Sequence, residues 1–250
     1  MNYQIVDEKP VLGLRRIMAD NKYGLIDDHN NVVCEAAYEK IGLDEYWLDQ
    51  DQCSLAEKRI PVCQNGLWGF IDINGRVVVS PQYLEYCSFR GQYTTVTLLD
   101  KNLGQDPVIH QYYLLIDRYG NSPNVLKSNV SKCESIELCG DRRQYAVLWE
   151  YHLKEHRGRV EREYYPPRII DLESIPYKTP QFICDVIEKN DDIVKIELSD
   201  YNYYYGYYKI KITTKSAEYV FDISTEKLLS VHKPSFLEKT GKRLWDICFK

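Results

Sequence analysis

Acidic residues recur where a short apolar segment begins after each of several hairpin-like stretches: Glu39, Glu85, Glu134, Asp185 and, near the C-terminus, Asp246. A ring of such carboxylates could hold a cation, bind a polyol or supply the paired acids of a glycosidase. The stronger expectation is structural, because an acid at a strand start commonly accepts backbone N–H bonds from its neighbours. The histidines His29, His110, His152, His156 and His232 form no spacing with Ser, Cys or Asp that specifies a nucleophile and its base. His152 and His156 lie four apart without the acidic companions of a metal motif, and a solvated loop is expected there. Eight cysteines are spread along the chain with no C-x-x-C pair, and most read as reduced, small, buried hydrophobes. No glycine-rich phosphate loop occurs, so no nucleotide cofactor is expected, and no metal site or catalytic residue is assigned.

Recognition chemistry has a better case. Tyrosine is used 22 times against 6 for phenylalanine. Its densest run holds Tyr201, Tyr203, Tyr204, Tyr205, Tyr207 and Tyr208, interrupted by Asn202 and Gly206. Such a run suits a projecting hairpin with large contact area and little side-chain entropy to lose, or a strand packed on both faces. A second insertion, His152 to Pro167, carries Arg157, Arg159 and Arg162 with Lys154 among the acids Glu155, Glu161 and Glu163. Both insertions fall between a strand and the hairpin that follows it. They are therefore expected on one face, as tyrosines flanked by arginines, a mixture common at interface hot spots.

These residues need a scaffold, and the sequence supplies one by repetition. Tyr23-Gly24-Leu25-Ile26-Asp27, a polar turn, Val32-Val33 and Tyr38 superpose on Trp68-Gly69-Phe70-Ile71-Asp72, Asn74-Gly75, Val77-Val78-Val79 and Tyr83 at an offset of 45. Each stretch reads as a hairpin: an apolar strand ends at an Asp suited to open a turn, Asn or Gly takes a positive φ, and a Val-rich strand returns. Residues Trp68 to Tyr83, with Pro81-Gln82-Tyr83, resemble the WG-repeat family, whose units run Trp-Gly-hydrophobic-Ile-Asp, a turn, a Val/Ile pair and Pro-x-Tyr. The resemblance implies a repeat scaffold, mostly bacterial, and no particular activity.

Further hairpins are placed at Leu115-Ile116-Asp117, Ile169-Ile170-Asp171 and Val220-Phe221-Asp222, each preceded by another alternating strand. If Leu244 to Phe249 pairs beside Val11 to Met18, five short strands meet five strand-plus-hairpin units. The expectation is one all-β domain over residues 1–250, a five-bladed β-propeller closed by the C-terminal strand; the alternative is an elongated stack of hairpin repeats. Its approximate units are 11–38 with 244–250, 39–83, 84–130, 133–177 and 182–232.

Composition bounds the rest. Hydrophobic residues at 44% and charged residues at 28% match an ordinary folded protein. A net charge of -5 opposes nucleic acid as the main partner, although single strands could stack on the tyrosine run. No leader or membrane span is read, so a cytoplasmic location is expected. The leading reading is a protein- or peptide-binding module. A carbohydrate-processing hydrolase is the rival, and the sequence leaves the partner and the oligomeric state open.

Overall fold

The computed structural model describes residues 3–43, 53–99, 111–123, 126, 132–139, 144–156, 159–174, 176–187, 192–202 and 206–233. Among them the chain is all-β and mostly antiparallel, with only a 3₁₀ turn at Leu55–Glu57 and a short helix at Gln181–Cys184. No helix of the described residues is long and apolar enough to cross a membrane. The chain divides into two compact units, residues 1–136 with 151–163, and residues 137–150 with 164–250.

In the first unit the expected hairpins belong to four-stranded meanders. The first runs Gln4–Ile5, Leu14–Ala19, Lys22–Asp27 and Val32–Tyr38 in spatial order. The second runs Lys40–Ile41, Ile60–Gln64, Leu67–Ile71 and Val77–Tyr83. The third begins Glu85–Tyr86, Tyr93–Leu99 and Gln111–Asp117, and its fourth place is taken by Lys132–Cys139, which pairs Tyr113 with Cys133. The turn chemistry is as the sequence implies. Asp27 Oδ1 accepts the N–H groups of His29 and Asn31 at 2.8 Å, and Asp72 and Asp117 do the same for residues two and four further on. Asn30, Gly75 and Gly120 take the positive φ.

Period-2 alternation turns one side chain in two towards the neighbouring meander. Leu14, Leu25, Tyr38, Ile41, Ile60, Val62 and Ile71 thus form one cluster between the first two meanders. Phe70, Val79, Tyr83, Phe89, Val96 and Ile116 form the next, between the second and third. Two buried arginines add polar ties: Arg118 donates to the carbonyls of Glu57 and Gly91, and Arg59 donates to the carbonyl of Arg118 at 2.7 Å.

The second unit has its own core, with Tyr145, Val147, Ile169, Ile196, Ile210, Ile212, Tyr219 and Phe221 among its buried members. Its last meander runs Ile193–Asn202, Gly206–Thr214, Glu218–Asp222 and Lys227–His232.

Three expectations are corrected. The edge of Leu14–Ala19 reserved for a closing C-terminal strand is filled by the N-terminus, with Gln4 opposite Met18 and Ile5 opposite Ile17. The Asp7 carboxylate then clamps Arg16, so this edge is stapled as well as paired. Leu244 to Phe249 lies outside the described residues. Next, Asp185 to Ile187 is no strand: Pro180 is the N-cap of the helix Gln181–Cys184, and Asp185 is that helix's C-cap; Glu188 and Lys189 lie outside the described residues. The first place in the last meander goes to Ile193–Asn202 instead. Finally, the stretch after His152 is no loop. Tyr145–His156 continues as a strand and pairs with Arg159–Tyr164, with His152 and Lys154 of one strand meeting Glu163 of the other across the ladder.

Candidate functional site

The acids come first. Glu39 accepts the N–H groups of Asn65 at 3.1 Å and Gly66 at 2.9 Å, and meets Lys22 Nζ at 3.3 Å. It caps the tight turn of the next meander. The Gly66 N–H and then Lys22 hold its carboxyl below the usual carboxylate range. Glu85 is not its counterpart. Lys40 pairs with Cys63 and Glu85 with Thr97, so Glu85 stands at the place of Lys40 and Leu84 at that of Glu39. A shift of one residue puts the two acids on opposite faces of the strand. Glu134 meets Arg162 at 3.2 Å, and Asp185 accepts from Gln181 Nε2 at 2.6 Å. Asp246 lies outside the described residues. Among the described residues no three His, Cys, Asp or Glu side chains are grouped to hold a metal.

A depressed carboxyl makes a prediction. The folded state releases the Glu39 proton more readily than the unfolded chain, so its contribution is fully present above the unfolded pKa, about 4.5, and is lost as pH falls through the lower folded value. Urea midpoints measured from pH 6 to pH 3 should fall, and Glu39→Gln should flatten that fall. An unchanged slope in the variant would remove Glu39 from the list of turn caps.

The recognition residues are distributed over both units. Arg162 lies in the first, 4.5 Å from the centre of the Tyr151 ring, with His152 and Lys154 both on Glu163 nearby. Arg159 lies in the same strand, and Arg157 falls outside the described residues. The tyrosine run lies in the second unit and is a hairpin: Tyr201 pairs with Tyr207 and Asn202 with Gly206. Tyr203, Tyr204 and Tyr205 fall outside the described residues. Tyr207 also pairs with Cys139, so the backbone of the returning strand is held on both edges, and Tyr208 is half-buried.

Within the first unit the structure builds a different site. A cleft of about 370 Å³ opens where the first meander meets the second, lined by Tyr23, Trp68, Tyr86, Ile41, Gly42, Arg16 and Lys40. Its walls follow the repeat. Tyr23 and Trp68 are equivalent hairpin aromatics, opposite Tyr38 and Tyr83, and Ile41 and Tyr86 stand three residues beyond those partners. Trp68 and Tyr86 have ring centres 4.8 Å apart at 57°, and Phe70 backs Tyr86 edge-on at 5.6 Å.

The glycine beside each aromatic explains how the wall is held. A Cβ on Gly69 would lie 2.4 Å from the Val79 carbonyl oxygen and 2.6 Å from Pro81 N, and one on Gly24 would lie 2.5 Å from the Cys34 carbonyl oxygen. At both points the register with the returning strand shifts, and that strand crosses over the glycine. Aromatic-glycine is thus one device: the ring faces the cleft while the neighbouring backbone is pinched flat. Residues 68–97 match the family model of the WG containing repeat. The chain carries a WG repeat. No curated protein and no solved structure matches the chain. The matched segment opens on the tryptophan of the cleft, takes in Tyr86, and ends within Tyr93–Leu99.

In the sequence Tyr23 and Trp68 stand out only as members of the hairpin repeat, and no motif marks Arg16, Lys40 or Tyr86. A signal was present. Across the offset of 45, Arg16 becomes Pro61 and Lys40 becomes Glu85, so the cations are specific to the first junction.

Proposed function

We propose that this protein is a peptide-binding module whose recognition site is the cleft between the first meander and the WG repeat. The observation that supports the reading is the aromatic lining: Tyr23, Trp68 and Tyr86, each partly buried, line one cleft. The volume is in the range of small-ligand and side-chain pockets, and the cleft brings apolar walls together with a few polar groups. Carboxylates already occupied by backbone N–H groups at Glu39, by an arginine at Glu134 and by the Gln181 side-chain amide at Asp185 lend the hydrolase reading no support.

The scaffold we propose is a series of blade-like meanders. Its closure into a five-bladed propeller would require a C-terminal strand to displace or extend Gln4–Ile5. The tyrosine hairpin of the second unit stands as a second proposed contact region, and Arg159 and Arg162 of the first unit as a separate, third one.

The test is selection of peptides from a displayed random library, followed by affinity measurement on variants that still melt cooperatively. Because an aromatic anchor contributes about 2 kcal/mol, Tyr86→Ser should weaken the selected peptides by roughly thirtyfold. Replacing Tyr203, Tyr205 and Tyr207 together with Ser should leave the affinity within about twofold of the parent, a difference of about 0.4 kcal/mol. The opposite pattern would overturn the cleft as the site and move recognition to the tyrosine hairpin.

A further inference from the structure

The cleft has a charge as well as a shape, and its two cations are not equivalent. Arg16 is held by Asp7, with Nη2 to Oδ1 at 2.7 Å and Nε to Oδ1 at 3.0 Å, and it also reaches the Ile41 carbonyl at 3.3 Å. Its side chain is only 19% exposed and its charge is balanced. It is a rigid wall. Lys40 lies on the strand Lys40–Ile41, is exposed, and makes no ion pair among the described residues. It therefore adds to the pocket lining an ammonium that no carboxylate meets among the described residues, beside three aromatic rings, Ile41 and Gly42.

An aromatic pocket without such a lysine would attract a cationic ligand to the ring faces. Lys40 repels one. A neutral apolar side chain would gain from the walls and leave the ammonium solvated at no benefit. A ligand that places a carboxylate beside an apolar or aromatic side chain uses both, the ring being covered and the charge met at the rim by a charge-assisted hydrogen bond. The repeat gives an internal comparison: at the next junction Glu85 of the third meander stands in place of Lys40 and Pro61 of the second in place of Arg16, so the cationic character belongs to this junction.

We propose that the cleft selects a carboxylate adjacent to an apolar or aromatic side chain, with Lys40 as the anion anchor and Trp68 and Tyr86 as the apolar clamp. The proposal rests on the cleft being the recognition site. Two sources would present this chemistry, an Asp or Glu side chain within a peptide and the carboxylate of a free C-terminus.

Three probes separate them: acetyl-Asp-Phe-amide, acetyl-phenylalanine and acetyl-phenylalanine amide, each titrated into the full ¹⁵N-labelled chain while the Gly42 amide and Trp68 indole signals are followed. At low salt at least one of the two acids should bind fivefold or more tighter than the uncharged amide, and whichever does so names the source. Lys40→Gln should abolish that preference while leaving the amide's affinity unchanged, and 0.5 M salt should compress it in the parent chain. Equal affinities for all three probes, a preference that survives Lys40→Gln, or no shift at either signal would overturn the proposal. Lys40 is exposed and its substitution spares the core, so a folding defect does not intrude. Library peptides that bind the cleft and lose affinity in Tyr86→Ser, yet carry no acid, would overturn the carboxylate preference alone. Peptides indifferent to Tyr86→Ser would overturn the site itself.

Discussion

Gly69→Ala should destabilise the first unit by about 3 kcal/mol or more. The new Cβ would sit 2.4 Å from the Val79 oxygen, 2.6 Å from Pro81 N and 2.7 Å from the Ser80 carbonyl carbon, all of them backbone atoms of the strand that crosses above. No rotamer relieves such a contact. Either the ladder of Leu67–Ile71 with Val77–Tyr83 opens or the crossing strand lifts, and lifting it pulls Val79 and Tyr83 out of the cluster they share with Phe70 and Phe89. Gly66 supplies the control three residues earlier. Its φ of +73° carries a backbone penalty for alanine of about 1 kcal/mol, while a Cβ there meets nothing within 4 Å. Urea unfolding followed by tryptophan fluorescence should place Gly69→Ala well below Gly66→Ala in midpoint. Equal midpoints would mean that the returning strand does not cross so close to the glycine.

In the second unit the largest effect should come from Arg168→Ala, at about 3 kcal/mol or more. Glu150 is fully buried within the strand Tyr145–His156, and Arg168 Nη2 and Nε approach its Oε2 at 2.5 and 2.7 Å. The ladder brings them together: Leu148 pairs with Arg168 in antiparallel register, which leaves Glu150 two residues along on the same face. Truncating the arginine takes the guanidinium from a carboxylate held in the interior, and the desolvation of that charge is then offset less well. Replacing both partners with apolar residues, Glu150→Leu with Arg168→Met, removes charge and counter-charge together and should recover most of the loss. A double-mutant cycle on thermal midpoints separates the two outcomes. If Arg168→Ala costs less than about 1 kcal/mol, the pair behaves as a surface ion pair and the buried environment of Glu150 is wrong.

Much of the local structure was legible because it is written in contacts only a few residues apart. Asp27, Asp72 and Asp117 cap turns with their own next neighbours, and Asn30, Gly75 and Gly120 take left-handed backbone that their types favour. The alternating strands before each hairpin follow from a period of two. The site was less legible. Glu39 and Glu85 looked equivalent because each opens an apolar segment, yet strand register separates them by one residue, and one residue reverses the face. Glu150 was visible only as a charge inside an apolar strand, a pattern that does not say whether its partner is water or an arginine 18 positions away.

The sequence by itself determined the all-β class, the hairpin repeat with its turn acids and positive-φ residues, and the WG segment beginning at Trp68. Each of these depends on residue type and short spacing, so no long-range information is needed. Tertiary structure alone decided that Gln4–Ile5 fills the edge beside Leu14–Ala19, that Asp185 ends a helical turn, and that Arg16, Tyr23, Lys40, Trp68 and Tyr86 share one cleft. An unpaired strand edge accepts any extended segment within reach, and the nearest in chain closes the smallest loop at the least entropic cost. A cleft between meanders is set by register and packing across repeats, and neither quantity is carried by any one stretch of chain.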